Sequence, residues 1–248
     1  MIKLSDRDLQ DFQEAVEWKT GMCMPDGRVL GVEGKRGKVS KGNDSRVALV
    51  KEMIDPAHGT VLEVGCCEGI HTLQLAAVAK HVTALDVRAR NIVCTLTRLF
   101  VHDIKNVSVK LADARFLDTK EGHFDVLFHV GVLYHLMDPV EHLFAIRDLA
   151  DSLVLDTHVT HADTAFPRDD IKYNGKTYRA HLYREGGWAD VFSGVEPASR
   201  WLDQEALVQV LRDAGYAQVD VVQERAERNG PRVCIVAHRK AKAARHAA

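Results

Sequence analysis

The stretch Thr60-Val61-Leu62-Glu63-Val64-Gly65-Cys66-Cys67-Glu68-Gly69-Ile70-His71 reads as a buried strand that breaks into a glycine turn and then a helix. Thr60, Val61, Leu62 and Val64 are apolar or β-branched around Glu63, Gly65 and Gly69 carry the turn, and Ile70, Leu73 and Ala77 then recur at helical spacing. Gly65 lets a bound molecule approach the backbone, and the first helical turn presents N–H groups to its polar atoms. About twenty residues on, His81-Val82-Thr83-Ala84-Leu85-Asp86-Val87 alternates into a strand ending in Asp86, where nucleotide-binding folds keep an acid for ribose hydroxyls. Together the two features predict a nucleoside site.

Outward from this stretch, strand and helix patterns alternate, which predicts a Rossmann-like α/β fold with helices on both faces of a mostly parallel sheet. Seven strands are expected at 60–65, 81–87, 106–111, 124–130, 152–159, 217–223 and 232–238, with helices at 68–80, 88–101, 139–149 and 204–214. Asp138-Pro139-Val140-Glu141 supplies a cap, a first-turn proline and an acid, while Asp203 and Gly215 bracket the last helix. The last two strands are separated only by a turn around Asn229-Gly230-Pro231, so they form an antiparallel hairpin closing the sheet. The tail beyond residue 240 is expected to fray.

Upstream, Ser5 and Asp8 frame a helix with apolar Leu9, Phe12 and Val16. Residues 20–41 carry Arg28, Lys35, Arg36, Lys38 and Lys41 without periodicity and read as a loop, and Asn43 or Asp44 caps a further helix through Ile54. Residues 1–55 are therefore read as helices and a loop covering the site, ahead of a main domain at 56–248. After the fifth strand the alternation breaks. Phe166, Tyr173, Tyr178, Tyr183, Trp188 and Phe192 lie among Arg168, Lys172, Lys176, Arg179 and Arg184, with turns at Gly175, Gly186 and Gly187. An insertion at about 160–200 sits beyond the carboxyl ends of the strands, where open α/β sheets bind ligands, and is read as a substrate cap.

The 248 residues are 46% hydrophobic and 27% charged, enough for one sizeable α/β domain with an elaboration. A net charge of −2 gives no basic field for nucleic acid. With neither a membrane-spanning run nor a signal peptide, a cytoplasmic location is expected. Cys23, Cys66, Cys67, Cys94 and Cys234 are odd in number and scattered, which suits reduced thiols; no second Cys or His pair stands at zinc spacing, and no metal is expected.

The segment Glu63 to Gly69 resembles the first motif of the class I S-adenosylmethionine-dependent methyltransferases, an acid, any residue and three alternating glycines, with Cys67 in place of the middle glycine. Ala112-Asp113-Ala114, after the third strand, resembles the acid of that family that accepts from the adenine amino group. The run Gly131-Val132-Leu133-Tyr134-His135, followed by Pro139, resembles a subgroup containing bacterial tRNA wobble-uridine carboxymethyltransferases and small-molecule O-methyltransferases. The resemblance implies S-adenosylmethionine as cofactor, held at Glu63, Gly65, Cys66, Gly69, Asp86, Val87, Asp113, Ala114, Val130 and Gly131, with Tyr134 facing the transferable group.

Methyl transfer is an in-line displacement, and a hydroxyl nucleophile also needs its proton removed. His135, His158 and His161 stand where a base would act near neutral pH; packing or capping is the other reading of His135, and packing that of His158. His129, inside a strand, reads as a satisfied core histidine. The expected activity is methylation of a hydroxyl on a small polar molecule, such as a sugar, polyketide or other natural-product intermediate, with tRNA (carboxy)methylation as the alternative. An NAD-dependent dehydrogenase would want another glycine where Ile70 and Thr72 stand, and a non-catalytic nucleoside-binding protein is a third reading. The expected partner is a small-molecule substrate, with neither nucleic acid nor membrane, and a homodimer is the assembly allowed for.

Overall fold

Local chemistry sets the first elements. Helix α1 (Asp6–Ala15) starts at a capping box in which the Asp8 N–H donates to the Ser5 hydroxyl and the Ser5 N–H donates to the Asp8 carboxylate. Leu9, Phe12 and Val16 pack on a core of Trp18, Met24, Leu30, Cys94 and Val101. The computed structural model describes residues 4–31, 39–40, 42–161 and 164–240; the basic residues Lys35, Arg36, Lys38 and Lys41 and the tail expected to fray lie outside them.

Residues 20–31, read from sequence as loop, instead pair. Strands β1 (Gly21–Cys23), β2 (Val29–Gly31) and β3 (Val39–Ser40) form a small sheet in the order β2-β1-β3. The Gly27 N–H donates to the Met24 carbonyl and closes a turn at Pro25-Asp26-Gly27, which brings two apolar triplets together. Three-residue strands are too short to show alternation. Helix α2 (Ser45–Met53) follows, capped by Asp44.

The alternating part then begins: β4 (Thr60–Val64), α3 (Ile70–Ala76), β5 (His81–Asp86), α4 (Ala89–Val101), β6 (Val107–Leu111), β7 (Phe124–Val130), α5 (Pro139–Ile146) and β8 (Ala150–His158). After it come β9 (Ile171–Tyr173), β10 (Lys176–Tyr178), β11 (Ala180–Arg184), β12 (Ala198–Leu202), α6 (Gln204–Asp213), β13 (Gln218–Glu227) and β14 (Gly230–His238). Seven strands form one sheet in the order β13-β14-β8-β7-β4-β5-β6, in which β4, β5 and β6 pair in parallel, β7 and β8 pair in parallel, and β14 runs antiparallel to both β8 and β13. By internal contacts the chain divides into units at 1–114 and 115–248. No helix among the described residues is long and apolar enough to cross a membrane.

Within 115–248, the insertion is a pair of two-stranded ribbons. The β9–β10 hairpin turns on Asn174-Gly175, both at positive φ (48° and 75°), the pattern of a type I′ turn. Its companion pairs β11 with β12 from Ala180↔Leu202 to Arg184↔Ala198. The ends of the insertion meet where the Thr160 N–H donates to the Leu202 carbonyl at 3.0 Å and the Thr160 hydroxyl to Asp203 at 2.6 Å.

That bond corrects one expectation. Asp203 precedes α6, yet its carboxylate serves Thr160 and Arg179 and makes no cap bond. Asp138 makes none to α5 either; its Oδ1 lies 3.2 Å from an Arg200 nitrogen. In both cases a distant donor outcompetes the helix terminus.

Candidate active site

In the unit 1–114, β4 delivers the glycine loop. The N–H groups of Gly65 and Cys66 both donate to the Leu85 carbonyl at 2.9 Å, fastening the loop to β5. Cys67 takes a left-handed conformation with φ 51°, which costs a non-glycine residue of order 1–3 kcal/mol. Its N–H donates to Asp86 Oδ2 at 2.9 Å, while Asp86 Oδ1 accepts from the Arg88 N–H at 2.9 Å and from Asn91 Nδ2 at 3.0 Å. Asp86 is therefore a buried brace as well as a candidate ribose acceptor: three of the roughly four lone-pair positions of a carboxylate are filled. Burial pushes its pKa up, against these donors.

Gly69 is a packing glycine. A Cβ there would come within 3.1 Å of Thr95 on α4, and φ is 79°. Since Cys67 and Gly69 are both left-handed, α3 starts at Ile70 and not at 68 as the apolar spacing predicts. Cys66 faces inward, buried, with its thiol 3.5 Å from the Thr95 hydroxyl. Val87, Asp113 and Ala114 are half-buried at the ends of β5 and β6, which the Ala112 N–H ties by donating to the Asp86 carbonyl.

Glu63 is 1% exposed, and its Oε2 accepts from the Thr72 hydroxyl at 2.6 Å. Oε1 has no hydrogen-bond partner among the described residues, and burial raises the carboxyl to about 8. A buried carboxyl oxygen without a partner beside a glycine loop fits a ligand rich in hydroxyl and amino groups, as an adenosyl cofactor is.

Sequence reasoning missed what clasps this loop. Glu68, turned away from α3, accepts the Lys19 and Thr20 N–H groups at 2.8 Å, the Thr20 hydroxyl at 2.5 Å and the Arg90 guanidinium. Arg98, wholly buried, donates to the Thr20 carbonyl at 2.9 Å and lies 4.8 Å over the Trp18 ring. A signal existed: Arg98 stands one turn after Cys94 on the buried face of α4.

In the unit 115–248, β7 ends at buried Val130 and half-buried Gly131, and a single 3₁₀ turn, Leu133–His135, follows. The Tyr134 ring lies 4.1 Å from His135 and meets His158 edge-on at 4.7 Å, so the three predicted catalytic side chains come together. Trp201 stacks on His158 at 4.7 Å and donates its indole N–H to the Tyr134 carbonyl at 2.8 Å; Tyr183 also stacks on Trp201, at 4.3 Å. Arg232 sits over the Tyr134 ring and is paired with Asp156.

The two histidines differ. His158 Nδ1 donates to the Pro231 carbonyl at 3.1 Å, its side chain is 3% exposed, and burial together with Arg232 lowers its pKa. His135, 18% exposed, sets Nδ1 2.9 Å from Glu185 Oε1. His161 is exposed and joins neither; it lines a groove of ≈ 590 Å³ with Arg179, Asp203, Glu205, Arg212 and Glu224. His129 is buried as expected but only half satisfied, with Nε2 2.8 Å from His142 Nε2 and Nδ1 unpartnered among the described residues. None of the five cysteines is in a disulfide, and among the described residues no cluster of three His, Cys, Asp or Glu side chains is placed to hold a metal.

Residues 61–154 match the family described as a methyltransferase domain. A tRNA U34 carboxymethyltransferase of Shewanella pealeana is 30% identical over 185 residues, covering 64% of this chain and 54% of that protein; the one from Pseudomonas paraeruginosa is 30% identical over 128 residues and 39% of its length. The chain thus spans about half or less of the curated relatives it matches. Among solved structures, the N-terminal domain of EvdMO1, crystallised in the presence of S-adenosylhomocysteine and D-fucose, is 25% identical with a TM-score of 0.74, covering 95% of this chain and 97% of that one. A Burkholderia thailandensis 1,6-didemethyltoxoflavin-N1-methyltransferase, 18% identical with a TM-score of 0.57 over 78% of this chain and 76% of its own, shares the fold. With the acid–glycine loop leaving β4 and an antiparallel β14 closing the sheet, the chain contains a class I S-adenosylmethionine-dependent methyltransferase domain.

Proposed function

We propose that this protein transfers the methyl group of S-adenosylmethionine to a hydroxyl of a small polar molecule, such as a sugar, polyketide or other natural-product intermediate. One observation carries the reading: His135 closes the turn after β7 with Nδ1 engaged by a carboxylate, leaving Nε2 as the ring's proton acceptor. Likeness to a domain crystallised with a sugar supports it.

In this reading Gly65, Cys66, Gly69 and Val87 border the adenosyl group, Asp86 accepts from ribose hydroxyls, Asp113 from the adenine amino group, and Glu63 from a donor on the cofactor. Val130 and Gly131 line its methionyl side. The cofactor supplies an electrophilic methyl on sulfur. His135 takes the acceptor's proton at Nε2, Tyr134 flanks the reacting centre, and His158 builds its wall with Trp201. The insertion at about 160–200 excludes water and selects the substrate.

The sequence likeness to tRNA carboxymethyltransferases favours a second reading, modification of a tRNA uridine. Methyl-labelled S-adenosylmethionine incubated in parallel with D-fucose and related hexoses, with a small-molecule extract and with unmodified tRNA separates them. Label in a hexose or extract metabolite is expected; label in tRNA alone would overturn the proposal.

A further inference from the structure

Glu185, just after β11, belongs to no motif read in the sequence, yet four donors hold its carboxylate. Oε1 faces His135 Nδ1 at 2.9 Å and the Ser199 hydroxyl at 2.8 Å; Oε2 accepts the Gly194 N–H at 2.9 Å and the Ser193 hydroxyl. The side chain is 2% exposed. Burial alone would raise its pKa, but His135, Ser193 and Gly194 outweigh that and hold it at about 2, so it is an anion at any working pH. An anionic carboxylate only accepts, and four donors fill its lone pairs.

The ring tautomer follows. Facing an acceptor, His135 Nδ1 must carry hydrogen, and the neutral ring then keeps its lone pair on Nε2, which makes no hydrogen bond among the described residues. The backbone enforces the approach as well. A Cβ at Gly194 would fall 2.7 Å from the His135 carbonyl oxygen and 3.1 Å from its Cβ, so only glycine lets the 193–194 segment close on the histidine. On its other side the ring meets Tyr134 at 4.1 Å.

We propose that Glu185 is the positioning residue of a His135–Glu185 dyad, fixing the Nδ1–H tautomer of His135 so that Nε2 carries the lone pair. The role of the dyad in turnover rests on the methyl-transfer reading above; its existence does not. Other charged or titratable groups near the ring act at one remove: His158 of β8 and Arg232 of β14 reach it through Tyr134, and Arg200 of β12 is engaged by Asp138, Asp169 and the Met137 carbonyl.

Nitrogen NMR of the ¹⁵N-histidine-labelled full chain tests this without a substrate. Wild-type His135, assigned by its loss in His135→Ala, is expected as the Nδ1–H tautomer. In Glu185→Leu, which removes the acceptor facing Nδ1, the Nε2–H form should appear. His158, bonded to a carbonyl, should keep its tautomer and serves as the internal control. An unchanged His135 tautomer in folded Glu185→Leu would overturn the proposal. If that variant does not fold, an Nε2–H tautomer in the wild-type protein would overturn it equally, and the Nδ1–H form would sustain it. Should the dyad stand while His135→Ala keeps full transferase rate, the reading of His135 as base fails and the tautomer assignment survives.

Discussion

The glycine loop and the histidine turn are both strand-end turns, but they are held differently. Around Cys67 the bonds that set the path of the loop are backbone N–H groups reaching a carbonyl or a carboxylate one βα unit away, as with the Cys67 N–H on Asp86, 19 residues apart, and the Glu68 clasp behind it is the part that draws on distant residues. Around His135 they are side chains from far along the chain: Glu185 lies 50 residues on, and Trp201 is 67 residues from the Tyr134 carbonyl it binds. A backbone-held loop follows from glycine spacing and strand pattern. A side-chain-held turn depends on which distant polar group packs against it, and no local periodicity carries that.

The largest expected effect falls on the histidine turn. His135→Ala should lower kcat by about 10²- to 10⁴-fold with S-adenosylmethionine affinity nearly unchanged, by steady-state kinetics and calorimetry, because the ring acts on the acceptor and not on the cofactor. Equal losses in kcat and in cofactor affinity would erase the contrast between the two turns.

Next in size is the clasp behind the glycine loop. Removing Glu68 deprives wholly buried Arg98 of the carboxylate 3.7 Å away, unpairs half-buried Arg90 from it and strips the Thr20 and Lys19 N–H groups of their acceptor. Glu68→Ala should cost about 3–5 kcal/mol in denaturant unfolding, as for breaking a buried ion pair from one side. A cost below about 1 kcal/mol, the ceiling of a surface pair, would show that the clasp does not hold the loop.

Glu63 sharpens the comparison through pH. Its carboxyl is raised by burial from 4.5 to about 8, so the folded state keeps a proton the unfolded state has lost. That contribution is fully present below about pH 4.5 and disappears as pH rises through about 8. Wild type minus Glu63→Gln, measured by unfolding across this window, should therefore fall with pH. Binding of S-adenosylmethionine near pH 7 should release protons if Glu63 meets its amino group, visible as a buffer-dependent calorimetric enthalpy. A flat difference curve would mean that Glu63 ionises freely in the fold.

The smallest effect is local to the backbone. Cys67→Gly removes the side-chain penalty of φ 51° and should stabilise by no more than about 1 kcal/mol, since glycine also gains freedom in the unfolded chain. Marked destabilisation would show the Cys67 side chain to be a packing element.

These particulars show what was legible. The seven sheet strands, the cap at Ser5 and a cap at Asn43 or Asp44 follow from patterns a few residues long, and the structure has them, with Asp44 as the second cap. Strands β1–β3 escaped because three residues cannot display a period. Asp138 and Asp203 were read as caps since their sequence setting is that of caps; Arg200 and Thr160, which take their carboxylates, are distant in sequence. Glu185 offered no signal at all, being one charged residue in an irregular basic and aromatic stretch.

The claim at the centre is transfer of a methyl group to oxygen. With [methyl-¹³C]S-adenosylmethionine and the acceptor recovered from the labelling assay, the carbon shift of the transferred group reads the atom that received it. A shift in the methyl ether range is the predicted result; an N-, S- or C-methyl shift, or a labelled tRNA with no labelled small molecule, would contradict the account.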